Sequence, residues 1–297
     1  MANIAIIFAG GTGTRMGSGT PKQFLLVNGK PILIHTLDNF QNSQYIDKIY
    51  IACKEEFIEQ TRKEIEKYQI TKVVGIVPGG VTGQDSIYNA LSKAREENDD
   101  DSIVLIHDGV RPFLTDEVIK ANIDSVKKYG SAITCTACYE TVILSEDGEK
   151  IEQVPSRDIA FTAQAPQSFY LGEIVDAHLI TRKDNPGYID IVDSCSLLRK
   201  LGKDIYIIKG NRGNIKVTTP EDFYILRALL QYKENEQILD WAIKNLNIKI
   251  LDIKLEIKEA IPAFTDNVDE NIKKAIRVLP SKNTEGFFVA KIKKLKT

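Results

Sequence analysis

A glycine-rich stretch near the amino terminus combines backbone and side-chain groups that can bind phosphate. It follows the apolar run 4–8 and contains, in order, Ala9, Gly10, Gly11, Gly13 and Thr14. Glycines at the carboxyl end of a buried strand let backbone N–H groups approach phosphate oxygens without interference from a Cβ atom. Arg15 and Lys22 add two positive charges to the same stretch. The pattern predicts a site for a polyphosphate.

Two familiar glycine motifs cannot be placed on this stretch. Neither G-x-G-x-x-G nor G-x-x-x-x-G-K-[ST] fits residues 10–22. The sequence therefore disfavours a Rossmann dehydrogenase and a P-loop nucleoside triphosphatase.

A second chemical group is the carboxylate of Asp108, which follows the apolar run 103–106. A carboxylate at the end of a buried strand is costly unless it meets a cation. Mg²⁺ that bridges a triphosphate is one such cation, and Asp108 is the predicted metal ligand. Arg111 is the alternative partner, or else a ligand for a second substrate.

Strand-like and helix-like stretches alternate along the first half of the chain. The apolar runs are 4–8, 48–52, 73–77, 103–106 and 132–137, and the stretches with helical periodicity are 31–40, 57–68, 86–97 and 116–129. This alternation predicts an α/β fold, with a parallel sheet covered by helices on both faces. Ligands bind beyond the carboxyl ends of such strands, where segments 9–22, 78–85 and 107–111 all fall.

The regular alternation stops at residues 140–167. Segments 141–144 and 150–154 flank the polar pair Asp147-Gly148, which predicts a β-hairpin arm over about 139–168. A two-stranded arm is marginally stable alone, so we expect it to pack on a second copy of the chain. Strand character returns over 204–216, and a helix is predicted from Pro220 to about Tyr232.

Composition limits the classes of function. The chain has 297 residues, 43% of them hydrophobic, and a net charge of −2, which gives no general attraction to nucleic acid or to an anionic membrane. Four scattered cysteines do not form a disulfide framework. Cys135 and Cys138 match C-x-x-C but lie in a strand-like run, so we interpret them as strand residues. Without a predicted leader or spanning segment, a cytoplasmic location is expected.

The amino-terminal third is similar to a known enzyme family. Residues 4–16, 21–25 and 28–36 resemble the cytidylyltransferases of sugar-alcohol phosphates, and the resemblance covers roughly residues 3–230. It implies a Rossmann-like, GT-A-like nucleotidyltransferase fold, a homodimer with interlocked arms, and CTP, Mg²⁺ and a small polyol phosphate as ligands. We place this domain at residues 1–232.

The resemblance also implies roles for individual residues. Arg15 and Lys22 would bind the β- and γ-phosphates of CTP, and Lys216 would neutralise the α-phosphate in the transition state. Asp108 would bind the metal and the ribose, and it is also an acceptor ligand. Segment 79–86 would bind cytosine and ribose through Gly79, Gly80, Asp85 and Ser86. Ser86 is alternatively a helix N-cap.

Other matches concern the acceptor. Arg157 matches an arginine that reaches the acceptor phosphate in the partner subunit, and Arg111 is a further acceptor ligand. This chain departs from the family at three positions. Gly83 stands where relatives commonly carry Arg, Ala165 where they usually carry Thr, and Val192 where Thr or Ser is expected.

The identity of the acceptor stays open between branches of the family. Segments 22–25 and 108–114 look more like the ribitol 5-phosphate enzymes of teichoic-acid and capsule synthesis. The alternative is the methylerythritol 4-phosphate enzyme of isoprenoid synthesis, and another pentitol phosphate or glycerol phosphate would also suit the altered pocket. The three histidines are interpreted as structural, because an acceptor phosphate is already largely ionised at neutral pH and needs no general base.

The last segment, 233–297, is predicted to be a small α/β appendage. Residues 234–242, 277–281 and 285–292 resemble the carboxyl end of the Sun family of RNA cytosine methyltransferases, but no cysteine follows Cys195, so methyl transfer has no catalytic thiol here. The cationic stretch 291–296 could touch RNA or be a solvated tail. A non-catalytic RNA-associated adaptor is therefore the hypothesis from a different class.

Overall fold

The structure is a computed structural model that describes residues 1–11, 20–253, 260–263, 268–278 and 287–295, with the backbone alone for 231–234. The chain divides into two compact units. The first unit holds residues 1–25 and 30–216, and the second holds 26–29 and 217–297.

Five of the nine strands that the structure describes up to residue 216 agree closely with the predicted apolar runs 4–8, 48–52, 73–77, 103–106 and 132–137. In chain order the nine strands are β1 (Asn3–Ala9), β2 (Leu26–Val27), β3 (Lys30–Pro31), β4 (Lys48–Cys53), β5 (Val73–Pro78), β6 (Ile103–Asp108), β7 (Ser131–Ala137), β8 (Phe161–Tyr170) and β9 (Ile207–Lys209).

Seven of these strands form the main sheet of the first unit, in the order β5-β4-β1-β6-β8-β7-β9. The pairs β1–β4, β1–β6, β4–β5 and β7–β9 are parallel, whereas β8 is antiparallel to both β6 and β7. The predicted α/β fold with a mainly parallel sheet is confirmed. The antiparallel β8 was not predicted, because its first seven residues fall in the segment assigned to the arm.

Burial explains why β1 lies in the middle of the sheet. Ile4 and Ile6 pack on one face, Ala5 and Ile7 pack on the other, and all four are fully buried. A strand that is covered on both faces has no polar positions, which is the pattern that the sequence shows.

Helices cover both faces of the sheet. Those of the first unit are α1 (Ile32–Gln41), α2 (Ile58–Lys67), α3 (Gly83–Glu96), α4 (Asp116–Tyr129), α5 (Leu171–Asp184) and α6 (Ser194–Lys200). One hydrophobic cluster includes Leu37 and Ile119, and the other includes Leu91 and Leu197. None of the helices in the described residues is long and apolar enough to cross a bilayer.

The predicted arm forms only in part. A single antiparallel bridge joins Leu144 and Gln153, where the Leu144 N–H donates to the Gln153 carbonyl at 2.8 Å. Two regular hairpin strands are absent from the described residues 139–160. The carboxyl side of the predicted arm instead enters the main sheet as β8, since its neighbours β6 and β7 offer backbone partners along its length.

The second unit contains the long helix α7 (Pro220–Asn245) and short strands. These are β10 (Ile248–Leu251), β11 (Ala260–Pro262), β12 (Ile276–Val278), β13 (Phe287–Val289) and β14 (Lys291–Lys294). Strand β10 pairs with β14, and β12 pairs with β11 and β13, all antiparallel. Helix α7 begins at Pro220 as predicted, but it continues past Tyr232, so the predicted end was wrong. The domain boundary at residue 232 stays a prediction.

A buried ion pair ties α7 to β12 within the second unit. Arg277 and Glu236 are 1% and 0% exposed, and the guanidinium donates to both carboxylate oxygens. A small apolar cluster that includes Leu239 and Ile272 forms the core of this unit.

We predict that Arg277→Ala destabilises the second unit by about 3–5 kcal/mol, because Glu236 is then buried without its cation. Hydrogen exchange of peptides from 268–278 should accelerate, while exchange in β1 stays unchanged. The control replaces both partners, Glu236→Leu with Arg277→Met, and should recover most of the protection. Equal loss in the single and double variants would contradict the prediction.

Candidate active site

The side chain of Asp108 lies at the carboxyl end of β6 between two cations. Its Oδ2 accepts from Arg111 Nε at 2.8 Å, and its Oδ1 lies 2.6 Å from Lys216 Nζ. Burial by itself would raise the pKa of Asp108, but the charges of Lys216 and Arg111 and their hydrogen bonds lower that pKa below its ordinary value. The carboxylate is therefore ionised at neutral pH.

Hydrogen bonds fix the cations in turn. Arg111 Nη1 donates to the Asn214 carbonyl at 2.8 Å, and Asn214 Nδ2 donates to the Ala165 carbonyl at 3.2 Å. This chain of contacts joins the end of β6, strand β8 and the segment before Lys216. Residues that are about 100 positions apart thus meet at one edge of the sheet.

His107 supports the segment after β6 rather than taking part in chemistry. It is fully buried, and its Nε2 lies 3.1 Å from the Arg111 carbonyl oxygen, so Nε2 carries the proton and donates. Burial lowers the pKa of His107 to about 4, which keeps the ring neutral. This agrees with the structural role predicted for the histidines.

The glycine segments after β1 and β5 meet at the hydroxyl of Ser86. A Cβ atom on Gly79 would lie 3.0 Å from Ser86 Oγ, and one on Gly10 would lie 3.4 Å from it. The Gly80 N–H donates to Ser86 Oγ at 3.0 Å, and Ser86 donates to the Thr82 carbonyl. Ser86 is not the N-cap of α3; that alternative was wrong, because Thr82 caps the helix.

The carboxylate of Asp85 accepts hydrogen bonds from within the chain. It accepts from the Thr82 N–H at 3.0 Å in a capping box, and from Arg182 Nη1 at 2.6 Å. Arg182 also lies over the ring of Tyr88, at 4.5 Å from its centroid. A Cβ atom on Gly80 would lie 2.1 Å from Asp85 Cβ, so only glycine fits there. These contacts fix the shape of the loop, and a nucleotide contact by Asp85 stays a prediction.

A cavity of about 400 Å³ opens beside Asp108 in the first unit. Its walls come from β1, β6 and β8, the first turns of α3 and α6, and Lys216. The lining residues are Phe8, Gly83, Gln84, Ile87, Ile106, Asp108, Arg111, Ala163, Gln164, Ala165, Gln167, Val192, Asp193, Ser194 and Lys216. The three positions where the chain departs from the family that it resembles, Gly83, Ala165 and Val192, are all among them.

Sequence reasoning missed several polar residues of this wall. Asp193 caps α6 by accepting from the Ser196 N–H at 2.7 Å and accepts from Gln167 Nε2 at 2.7 Å. Gln84 and Ser194 line the same wall. No motif marks these residues, because a glutamine, a serine or a helix-capping aspartate has no sequence signal that separates a cavity wall from a surface.

Other predicted residues lie apart from this cavity or outside the described residues. Arg157 is exposed in a 3₁₀ turn, and its Nη2 donates to Thr141 Oγ1 at 2.9 Å. Lys22 begins a 3₁₀ turn beside the glycine stretch, where its Cε lies 3.7 Å from the Cβ position of Gly11. Ala9 at the end of β1 accepts from Gln23 Nε2 at 3.0 Å. Gly13, Thr14 and Arg15 lie outside the described residues.

Asp108 has the donor chemistry for a divalent cation. Each of its oxygens accepts from one cation and keeps a second lone pair. Mg²⁺ commonly binds through one or two carboxylates and through the phosphates of a substrate. Within the described residues, no three His, Cys, Asp or Glu side chains come close enough to form a metal cluster.

We predict that the first unit loses stability as the pH falls from about 6.5 to 4. Burial lowers the pKa of both His107 and His178 to about 4 in the folded chain, whereas each imidazole has its ordinary pKa of 6.5 in the unfolded chain. Between pH 6.5 and 4 the unfolded chain therefore binds more protons than the folded chain. Each histidine then contributes roughly 3 kcal/mol that is present above pH 6.5 and lost by pH 4.

Urea denaturation followed by circular dichroism between pH 7.5 and 4.5 measures this loss. His107→Gln and His178→Gln should each flatten the pH dependence below pH 6.5 and leave the slope between pH 7 and 7.5 unchanged. A wild-type slope in both variants would show that other groups cause the acid sensitivity.

The chain resembles known proteins over most of its length. The family model "IspD: 2-C-methyl-D-erythritol 4-phosphate cytidylyltransferase" matches residues 3–232. A ribitol-5-phosphate cytidylyltransferase of Streptococcus agalactiae is 47% identical over 241 residues, which cover 80% of this chain and 99% of that protein. A 2-C-methyl-D-erythritol 4-phosphate cytidylyltransferase of Clostridium botulinum is 38% identical over 229 residues, which cover 77% of this chain and 97% of that protein.

The solved structures agree with the sequence relatives. The 4-diphosphocytidyl-2C-methyl-D-erythritol synthase of Anaerococcus prevotii matches with a TM-score of 0.67 and 29% identity, over 77% of this chain and 96% of that one. The family match spans the whole main sheet and every residue of the Asp108 cluster. The chain therefore belongs to the IspD family of CTP-dependent cytidylyltransferases.

Proposed function

We propose that this enzyme transfers the cytidylyl group of CTP to ribitol 5-phosphate and produces CDP-ribitol and pyrophosphate. An oxygen of the acceptor phosphate attacks the α-phosphorus of CTP. The bond between that phosphorus and the oxygen that bridges to the β-phosphate breaks, and pyrophosphate leaves with the bonding electrons. No proton has to be removed from the acceptor, because a phosphate monoester is largely a dianion at neutral pH.

The observation that carries the proposal is the cation pair around Asp108. Arg111 and Lys216 bring two positive charges to one carboxylate in the cavity wall, so this cluster of three side chains carries a net positive charge. Transition states of phosphoryl and nucleotidyl transfer are stabilised mainly by such fixed charges. Lys216, whose side chain is 43% exposed, would contact the α-phosphate.

The remaining phosphates are assigned to the amino-terminal stretch. Lys22 and Arg15 would hold the β- and γ-phosphates against Gly10 and Gly11, and Mg²⁺ bound to the triphosphate and to Asp108 would offset their negative charge. Cytosine would be bound at the loop that Ser86 and Gly80 organise.

The similarity to relatives supports ribitol 5-phosphate as the acceptor. Identity to the ribitol-5-phosphate enzyme of Streptococcus agalactiae is 47%, against 38% to the methylerythritol phosphate enzyme of Clostridium botulinum. CDP-ribitol would supply a polymer of the cell wall or capsule from the cytoplasm, where CTP is made. The second candidate is 2-C-methyl-D-erythritol 4-phosphate, which the matching family model names.

Pyrophosphate release with CTP and Mg²⁺ tests the proposal across ribitol 5-phosphate, other pentitol phosphates, glycerol 3-phosphate and 2-C-methyl-D-erythritol 4-phosphate. Selective turnover of ribitol 5-phosphate is the expected result. Selective turnover of another acceptor would overturn the assignment. Turnover of none, together with RNA binding by the full chain, would favour the adaptor hypothesis.

We predict that Lys216→Met lowers kcat by roughly 10²–10³-fold, because one preorganised charge at the reacting phosphate is lost. The matched control is Lys209→Met, an exposed lysine on β9 that does not line the cavity. It should keep wild-type kcat. Equal kcat in both variants, with the fold intact by circular dichroism, would remove Lys216 from the mechanism.

We also propose that the active form is a homodimer whose arms complete each other's sites. Apolar side chains on and beside the arm are exposed in the single chain, among them Ile143 at 52%, Ile151 at 62% and Ile159 at 75%. Exposed apolar side chains at this density are typical of a covered interface. Arg157 lies on the same segment and does not line the cavity of its own chain, so its target would be the acceptor phosphate in a second copy.

Mixing two impaired variants tests this arrangement. Arg157→Ala is expected to raise the KM for the acceptor far more than the KM for CTP. If Arg157 acts on the partner subunit, mixed dimers of Arg157→Ala and Lys216→Met contain one intact site, and random exchange restores about a quarter of wild-type activity. No restoration despite verified subunit exchange would show that Arg157 does not act across a dimer.

A further inference from the structure

Three cavity-lining residues, Gln84, Gln164 and Ser194, each have a buried polar atom without a hydrogen-bond partner in the described residues, and two of these side chains are themselves buried. Gln84 and Ser194 are 5% and 1% exposed, and both line the cavity beside Asp108. Neither Gln84 Oε1 nor Ser194 Oγ meets a donor or an acceptor in the part of the chain that the structure describes. Leaving such an atom unpaired is costly, so each calls for a physical explanation.

Local structure fixes both side chains in place. Gln84 lies in the first turn of α3, between the two members of the Thr82–Asp85 capping box. Ser194 is the first residue of α6, between the capping Asp193 and Cys195, whose N–H donates to Gln167 Oε1 at 3.2 Å. The backbone that carries each side chain is therefore held by a helix start.

The position of the cavity identifies which substrate these atoms face. Gly10, Gly79 and Gly80, which would hold the nucleotide, do not line it among the described residues, whereas Arg111, the predicted acceptor ligand, does. Apolar side chains such as Ile87 and Ile106 form much of the remaining wall. A ligand that fits has a phosphate at one end and a short carbon chain bearing hydroxyl groups at the other.

We propose that Gln84 and Ser194 bind hydroxyl groups of the acceptor's carbon chain and so select a polyol phosphate. Gln84 Oε1 accepts from one hydroxyl, and Ser194 Oγ exchanges a hydrogen bond with another, while Ile87 and Ile106 contact the C–H faces. This inference rests on the proposed function, because it assigns the second substrate of the same reaction. It adds two specificity-determining residues.

The test pairs each variant with substrates that lack one hydroxyl. Ser194→Ala and Gln84→Met remove the polar atom with little change of volume, and the acceptors are ribitol 5-phosphate and its 2-, 3- and 4-deoxy forms. At saturating CTP, each variant should lose ~10–100-fold in kcat/KM for ribitol 5-phosphate. For the deoxy form that lacks its partner hydroxyl, variant and wild type should be equal. The KM for CTP should stay within about 2-fold.

The matched control is Ser92→Ala. Ser92 Oγ, also on α3, is buried and has no partner in the described residues, but it does not line the cavity. This variant should leave kcat/KM unchanged. Equal losses on ribitol 5-phosphate and on every deoxy form would overturn the inference, because no single hydroxyl would then be coupled to either residue. A rise in the KM for CTP in place of a loss on the acceptor would also overturn it.

A failure of the proposed function is separable from a failure of this inference. If wild-type enzyme turns over none of the polyol phosphates, the proposed function fails, and calorimetry then measures ribitol 5-phosphate binding directly. Binding to wild type that weakens ~10-fold or more in Ser194→Ala and Gln84→Met, but not in Ser92→Ala, supports the inference. No binding to wild type overturns it.

Discussion

The site depends on the buried carboxylate of Asp108 between Arg111 and Lys216. An ion pair in a low-dielectric position is stable only if its geometry is good and both partners stay in place, since removing one partner leaves a buried charge. Here the carboxylate fixes two cations that come from sequence positions about 100 residues apart. The fold therefore concentrates positive charge at one edge of the sheet, and the burial of Asp108 requires that charge whether or not a nucleotide is bound.

The parallel strands and their helices could be predicted from the sequence, because a strand that is buried on two faces appears as a continuous apolar run. In β1, four consecutive fully buried residues point to alternate faces, and no polar side chain interrupts them. Strand β8 shows no such continuous apolar run. Its first three residues are exposed and Pro166 interrupts it, so its assignment depends on pairing with β6 and β7, which lie far away in the sequence.

The site was predictable only where charge or glycine marks it. Asp108, Arg111 and Lys216 stand out as charged residues beside strand ends, and the structure brings these three together. Asp85 stands out equally, yet its carboxylate caps α3 and pairs with Arg182. Its neighbour Gln84 is the residue that lines the cavity. A one-residue step along a helix turns the direction of the side chain by about 100°. Residue type alone does not show that direction.

The three positions where this chain is expected to differ from the family, Gly83, Ala165 and Val192, all line the cavity beside Asp108. A Cβ atom on Gly83 would have nothing within 4 Å, so packing does not require glycine there, and the missing side chain leaves open space beside Gln84. Ala165 and Val192 likewise line the same cavity with apolar side chains, where the family resemblance predicts hydroxyl groups. Polar contacts with an acceptor must then come from groups held more rigidly, at the starts of α3 and α6. Because those groups are fixed before a ligand arrives, they distinguish acceptors by the position of each hydroxyl, and little ordering entropy is lost on binding.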